Sequence, residues 1–519
     1  MNEHPQHILT ARARRAVLAV MCVALMMVVA AVASLNVALP DLARSTGASQ
    51  SQLQWIVDAY ALVFAGLLLP AGALGDRYGR KGILQLGLAV FGAASLAAVF
   101  VNDPGWLIGL RAVVGLGAAL VMPTTLSIIT NVFPEDERGR AVGIWAGIAG
   151  AGAVVGLLLS GTLLEWFSWS SVFAVNVALA ALASVATARV VPTSRGRRAR
   201  LDPVGAALSS LGLFGLVAGI IEAPIRGWLD AYVVWGFAAG AVLLVAFVVF
   251  EMGRRDPMLD PRLFARRGFA AGSLSLTLQF FAQFGLLFIG LQYLQLVLGY
   301  SPIEAGASIL PMALMLVLIA PRAPRIAARL GVRAVGGAGL AVMGAGFLIF
   351  ASLGPGSSYP PFGLAALVTG IGIGLATAPA TTAIVSSLPA ERQGIASAVN
   401  DLTREVGGAF GIAVLGSVLN NGYRDHVAPA AAHLPAPAAG AVRSSVAAAG
   451  AVAARARAHG PALADRAHRA FVSGFSTALI VAACVLFAAG LVVALVAPPR
   501  RRPARRRRRQ SHGHGVPTT

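Results

Sequence analysis

About 14 apolar stretches, each near the ~20 residues that a helix needs to cross the hydrocarbon core of a bilayer, follow one another along this chain with short polar loops between them. They lie near 16–39, 53–74, 83–101, 106–125, 141–164, 172–191, 204–221, 231–250, 269–291, 305–320, 334–353, 362–387, 395–419 and 471–497. Lipid offers no partner to backbone N–H and C=O groups, so runs of this length satisfy them internally as α-helices. The spans consume most of the 519 residues, and only 12% of the chain is charged, against about one quarter in an ordinary globular domain. With a mean hydropathy of +0.76, a water-soluble enzyme is excluded. The expected fold class is an all-α polytopic membrane protein.

The formal net charge is +20, which taken alone would suggest nucleic acid. The charges instead lie between the spans. With both termini on one side, 31 basic residues fall on that side and 8 on the other, with Arg111 and Arg404 inside spans. The positive-inside rule then makes both termini cytoplasmic, and the expected location is a bacterial cell membrane. Trp55, Trp106, Trp166, Trp169, Trp228 and Trp235 fall near outer span ends, as an interfacial belt would, and Trp145 is the exception. The cytoplasmic tail 498–519, with Arg500–Arg502 and Arg505–Arg509, suits anionic lipid headgroups rather than nucleic acid. The outer segment 420–469, rich in Ala and Pro, is expected to be a partly disordered connector.

Several chemistries are absent. Cys22 and Cys484 each sit in an apolar run, where packing rather than a disulfide is expected. All eight histidines lie in the termini or the 420–469 segment, so none ligates haem or relays protons inside the membrane. Lys81 is the lone lysine and Gly82 follows it, so no phosphate-binding GxxxxGK[ST] loop exists. No metal site, no cofactor and no enzymatic activity are expected.

Two segments recur at one offset. Arg77-Tyr-Gly-Arg80 parallels Arg329-Leu-Gly-Val-Arg333, and Pro134-x-x-Glu137-Arg138-Gly139 parallels Pro389-x-Glu391-Arg392-x-Gly394, about 252 to 255 residues apart. The chain therefore divides into an N-tail (1–15), a six-helix half (16–191), two inserted spans (204–250), a second six-helix half (269–497) and the basic tail. Repeated halves with a cavity between them are the architecture of secondary transporters.

The stretch Gly72-x-Leu74-Gly75-Asp76-Arg77-x-Gly79-Arg80-Lys81-x-x-Leu84, placed after span 2, resembles the signature loop of the major facilitator superfamily. Asn36-Val-Ala-Leu-Pro40, Gln54-Trp-Ile-Val-Asp-Ala-Tyr60 and Ala396-Ser-Ala-Val-Asn400 leading to Glu405-Val-Gly-Gly408 are similar to its fourteen-span drug:proton antiporter branch. The resemblance implies the major facilitator fold and proton-coupled export of amphipathic or cationic compounds by alternating access. The chain differs from the branch where Ala31 replaces a span 1 Asp and Leu157 a span 5 Pro.

Ionisable groups at membrane depth are functional candidates by default. Glu405 lies about ten residues into span 13, roughly half the ~30 Å hydrocarbon thickness; it exchanges a proton or belongs to a structural ion pair. Asp401 shares its face at i−4, and Arg404 is placed to pair with Asp401 at i+3. Asp58 and Arg111 share a depth in spans 2 and 4, as an ion pair or with Asp58 simply interfacial. Gly72, Gly75 and Gly79 let spans 2 and 3 turn and approach, while Asp76, Arg77 and Arg80 form a charge cluster suited to a cytoplasmic gate. Ser275, Gln279 and Gln283 line one face of span 9, facing a substrate cavity or another helix, and Asn36 of span 1 joins the cavity set. Phe280, Phe281, Phe284 and Phe288 interleave, for packing or for stacking on a cation. Gly152, Gly156 and Ser160 make a small-residue ridge. The expected partners are a small amphipathic or cationic substrate, protons and lipid, with the chain a monomer. A dedicated exporter of one endogenous metabolite or antibiotic, or a non-transporting membrane scaffold or sensor, are the alternatives.

Overall fold

The structure, a computed structural model, describes residues 10–48, 50–193, 202–456 and 460–497. The basic run Arg500–Arg509 lies outside them. Among the described residues there is no strand. The helices are α1 (Ala11–Thr46), α2 (Gln50–Tyr78), α3 (Arg80–Val99), α4 (Pro104–Val132), α5 (Glu135–Trp166), α6 (Ser170–Val190), α7 (Pro203–Arg226), α8 (Ala231–Met252), α9 (Arg267–Gln292), α10 (Pro302–Ser308), α11 (Leu310–Ile319), α12 (Ala323–Leu330), α13 (Val332–Ala351), α14 (Tyr359–Val385), α15 (Gln393–Ala431), α16 (Ala436–Ser444), α17 (Val446–Arg455) and α18 (Gly460–Val496).

Among the described residues thirteen helices are long and apolar enough to cross a membrane, and Ile303–Ile319 with Ala323–Leu330, bent by 56°, makes fourteen when the pair is counted as one broken span. Proline explains the break. Pro321 sits in it and Pro324 in the first turn of α12, and a proline supplies no N–H and disfavours helix in the residue before it.

Helices α1 to α6 pack on one another, with α1 against α5 and α6, α2 against α4, and α3 between α4 and α6. A second bundle sets α9 against α15, α14 and α18, and α13 between α14 and α18. The inserted α7 lies on α2 and α15, while α8 leans on α7 and leaves Trp235, Val242 and Val249 exposed to the surroundings. The two bundles meet where α2 and α4 touch α15 and where α5 runs along α10, α11, α12 and α14. Gly79 (φ 106) links α2 to α3, and Gly331 (φ 94), 252 residues later, links α12 to α13. A side chain is strained at such angles, so the two glycines mark the same turn in both halves.

The small-residue ridge of α5 faces α1: a Cβ on Gly156 would lie 2.6 Å from the Ala30 carbonyl oxygen, and Ser160 Oγ donates to the Ser34 carbonyl at 2.8 Å.

Two expectations are corrected. The segment 420–469 is a helical cap rather than a disordered connector in its described part: α15 runs on to Ala431, α16 and α17 follow, and α18 begins at Gly460. Tyr423, Val427 and Ala431 recur every four residues and are buried, together with Val442, Ala449 and Ala453, and Tyr423 Oη donates to the Val442 carbonyl at 2.8 Å. The tryptophan belt also loses a member. Trp169 is buried edge-on against Phe173, whereas Trp106, Trp166 and Trp235 are exposed.

Candidate functional site

Two clusters of charge lie between the bundles. The first joins the signature loop to the start of α15. Asp76, at the end of α2, accepts the Gly394 N–H at 2.9 Å and the Ile395 N–H at 3.2 Å. These are donors that a helix leaves unpaired in its first turn, where a carboxylate is favoured. Arg80 donates from Nη2 to Asp76 Oδ1 at 3.1 Å and to the Ala390 carbonyl at 2.7 Å. Both residues are buried. The backbones are in near contact, since a Cβ on Gly72 would lie 2.5 Å from the Gly394 carbonyl oxygen. A Cβ on Gly75 would stand 3.1 Å from Thr124 Cγ2. Arg77 places its guanidinium 5.3 Å from the Tyr78 ring centroid. Charge-assisted bonds therefore join the two bundles here, and separating the bundles would break them.

The second cluster sits further along α15. Arg404 Nη1 stands 3.8 Å from Asp401 Oδ1, and Asn400 Nδ2 donates to the same oxygen at 3.0 Å. The Arg404 guanidinium lies 4.5 Å from the Phe280 ring centroid and 5.3 Å from that of Trp145. Glu405, half-buried, has no hydrogen bond or ion pair among the described residues. It lies within electrostatic range of Arg404 and Asp401 and of Tyr60, as does Arg111.

The other candidates sort by their contacts. Arg111, 1% exposed, donates from Nε to the Ile56 carbonyl at 3.0 Å and stands 4.4 Å from the Tyr60 ring centroid. Its partners are thus a carbonyl and a ring rather than the Asp58 carboxylate expected from depth alone; Asp58 is half-buried on α2. Gln279 donates to Ser275 Oγ at 2.7 Å and accepts from Thr377 Oγ1 of α14 at 2.8 Å. Gln279 thus bridges Ser275 to α14, while Ser275 also lines a small cavity with Ala271, Gly336 and Pro379. Gln283, one turn on, keeps a buried Oε1 without a partner among the described residues. The side chain of Asn36 lies outside what the structure describes. Among the described residues no group of His, Cys, Asp and Glu is placed to hold a metal.

Residues 21–412 match the sequence profile of the Major Facilitator Superfamily. The chain belongs to this superfamily. It is 36% identical over 392 residues to the methyl viologen resistance protein SmvA of Salmonella typhimurium, covering 75% of this chain and 79% of that protein. It is 35% identical over 455 residues to the multidrug efflux pump LfrA of Mycolicibacterium smegmatis, covering 87% and 90%. Among solved structures, the proton:xylose symporter XylE superposes with a TM-score of 0.63 at 13% identity, over 94% of this chain and 97% of that one. This last likeness shows the fold alone. Membership makes the chain a multi-pass membrane transporter of small molecules rather than an enzyme.

In this facilitator, residues that sequence reasoning did not select complete both clusters. Trp145 is 0% exposed and its Nε1 donates to Thr125 Oγ1 at 3.1 Å. The one sign of it was its place away from every interfacial tryptophan. Tyr60 carried no sign beyond its motif. The linker after α8 meets the first cluster as well: Arg392 bonds Asp256 and donates to the Pro257 carbonyl at 3.2 Å, and Glu251 Oε2 holds that linker through the Met258 N–H at 2.7 Å.

Proposed function

We propose that this facilitator exports amphipathic organic cations across the bacterial cytoplasmic membrane in exchange for protons, with both termini in the cytoplasm. The observation that carries this reading is Glu405, a half-buried carboxylate about a dozen residues into α15, hence ~18 Å along it, beside the Arg404–Asp401 contact and in electrostatic range of both residues, yet without a hydrogen bond or ion pair of its own among the described residues. A carboxylate at that depth is costly to keep charged and gains by binding either a proton or a cation. One site that takes either, but not both, is the minimal device for antiport. The efflux proteins similar to this chain support the choice of drugs as cargo.

The bonds between Asp76, Arg80 and α15 then belong to the cytoplasmic gate, which is closed in this structure. Gly72, Gly75 and Gly79 permit the close approach that the gate needs, and Arg77 adds positive charge beside it. Gln283 is offered as the polar lining of the substrate path from span 9, and Asp58 and Arg111 as a polar bracket around the end of α2. The chain acts as a monomer, and the tail Arg500–Arg509 rests on anionic lipid.

Inverted membrane vesicles with an imposed proton gradient test the proposal. Lipophilic cations added singly should release protons with the intact chain, and Glu405→Gln should abolish the release while leaving the protein folded and inserted. Intact, correctly oriented protein that releases no protons for any cation refutes it.

A further inference from the structure

The surroundings of Arg404 are those of a bound cation rather than of a structural ion pair. An arginine held for structure normally engages a carboxylate through two short parallel bonds of about 2.7–2.9 Å. Arg404 is only 5% exposed, yet its contact with Asp401 is a single one at 3.8 Å. Its Nε is buried and without a hydrogen-bond partner among the described residues. Two aromatic faces supply the near contacts that remain, Phe280 at 4.5 Å and Trp145 at 5.3 Å, with Glu405 in electrostatic range but not bonded to it. Aromatic rings close to a carboxylate are how proteins recognise guanidinium, quaternary ammonium and flat organic cations. The rings are held in place independently of the arginine. Trp145 is fixed by its bond to Thr125, and Phe280 packs against Phe284 at 5.7 Å between centroids. The two rings come from different bundles, α5 and α9, so whatever lies between them touches both halves of the transporter.

We infer that Arg404 is an internal stand-in for the transported cation: the substrate's positive charge enters between Trp145 and Phe280 beside Asp401, and the arginine leaves. The inference rests on the proposed export of organic cations and deepens it by naming the slot. Two cations cannot occupy the same space beside these two rings, so occupancy by substrate and by Arg404 exclude one another. The tethered guanidinium keeps the slot filled between transport events and weakens the apparent affinity for every cationic substrate. The slot selects planar or quaternary cations, since a small, strongly hydrated ammonium gains less from aromatic faces.

Calorimetric titration of the purified full chain with tetraphenylphosphonium tests this. Arg404→Gln removes the competitor and should tighten binding about tenfold, and guanidinium chloride should then compete in this variant and not in the intact chain. Trp145→Leu should weaken binding in either background. A folded Arg404→Gln that binds no tighter overturns the inference. A second measurement needs no variant. Phenylglyoxal modification of Arg404 in the intact chain, followed by mass spectrometry, should accelerate when tetraphenylphosphonium displaces the guanidinium. Protection or an unchanged rate overturns the inference. If the intact chain exports tetraphenylphosphonium while both tests go against Arg404, the inference falls and cation export stands. If neither the intact chain nor Arg404→Gln binds it, both fall.

Discussion

Replacing Asp76 by Asn keeps the shape of the side chain and one acceptor oxygen, but removes the charge on which the proposed cytoplasmic gate depends. In the intact chain this carboxylate accepts two backbone N–H groups from the start of α15 and holds Arg80, itself 1% exposed. A hydrogen bond to a charged group contributes about 1.5–3 kcal/mol, and a buried partner left unpaired adds a penalty. The amide also turns an NH2 toward donors. Opening hydrates Arg80, which recovers part of the penalty, so the closed state should lose about 2–4 kcal/mol net, or about 30- to 700-fold in the open-to-closed ratio at 1.4 kcal/mol per decade. Spin labels at Gly82, where an added Cβ meets nothing within 4 Å, and at the exposed Glu391 report the opening by electron–electron dipolar spectroscopy, with Cys22 and Cys484 replaced. The long-distance population should dominate in Asp76→Asn. A change below about threefold, ~0.65 kcal/mol, would mean that packing alone closes this end and would refute the electrostatic argument. Gly72→Ala is the steric counterpart, because its Cβ would stand 2.5 Å from the Gly394 carbonyl oxygen, and it should open the same end with every charge in place.

Gly156→Val forces a branched side chain against the Ala30 backbone and should destabilise the fold by about 1–3 kcal/mol, seen as a lower thermal midpoint in detergent. Gln279→Leu breaks the bond to Thr377 and should cost about 1 kcal/mol of stability with KM within twofold of the intact value; a fivefold rise in KM would instead put Gln279 on the substrate path. Tyr423→Phe removes the bond to Val442, which should speed hydrogen exchange in 436–455 about fivefold and leave transport unchanged.

Span count and fold were legible because hydrophobic length is a strong local signal, and the signature loop was legible because its chemistry is written in consecutive residues. What was not legible depends on three dimensions. Hydropathy ended the thirteenth span near residue 419, yet α15 continues to Ala431, since a polar helix that packs on other helices has no apolar run to announce it. Depth counting placed Asp58 and Arg111 level, but it carries no azimuth around the helix, and Arg111 turns to the Ile56 carbonyl and the Tyr60 ring. The amide stripe on α9 was readable as a stripe. That Gln279 meets Thr377 while Gln283 does not depends on α14, 98 residues away from Gln279. Trp145 was invisible as a site residue because its role comes from Arg404, a residue on another helix in the other bundle.

The placement of both charge clusters on one helix suggests how they communicate on the proposed reading. Gly394 and Ile395 cap Asp76, and Glu405 follows Ile395 by ten residues, ~15 Å of α-helix. Helices bend sharply at proline, and α2, α4 and α14 each carry one inside, at Pro70, Pro123 and Pro379. In α15 the internal proline is Pro429, beyond both clusters, so the stretch between them has no built-in hinge. That stretch and its continuation are also seated closely on α9, where a Cβ on Gly408 would lie 3.1 Å from the Phe284 ring. A cation or proton arriving at Glu405 therefore acts on the same stiff rod that holds the gate. Moving α15 relative to Tyr60 and Trp145 must draw its first turn away from Asp76. Coupling of this kind needs no relay of side chains, and it places the cost of opening in the Asp76 bonds and the benefit in the charge exchanged beside Arg404.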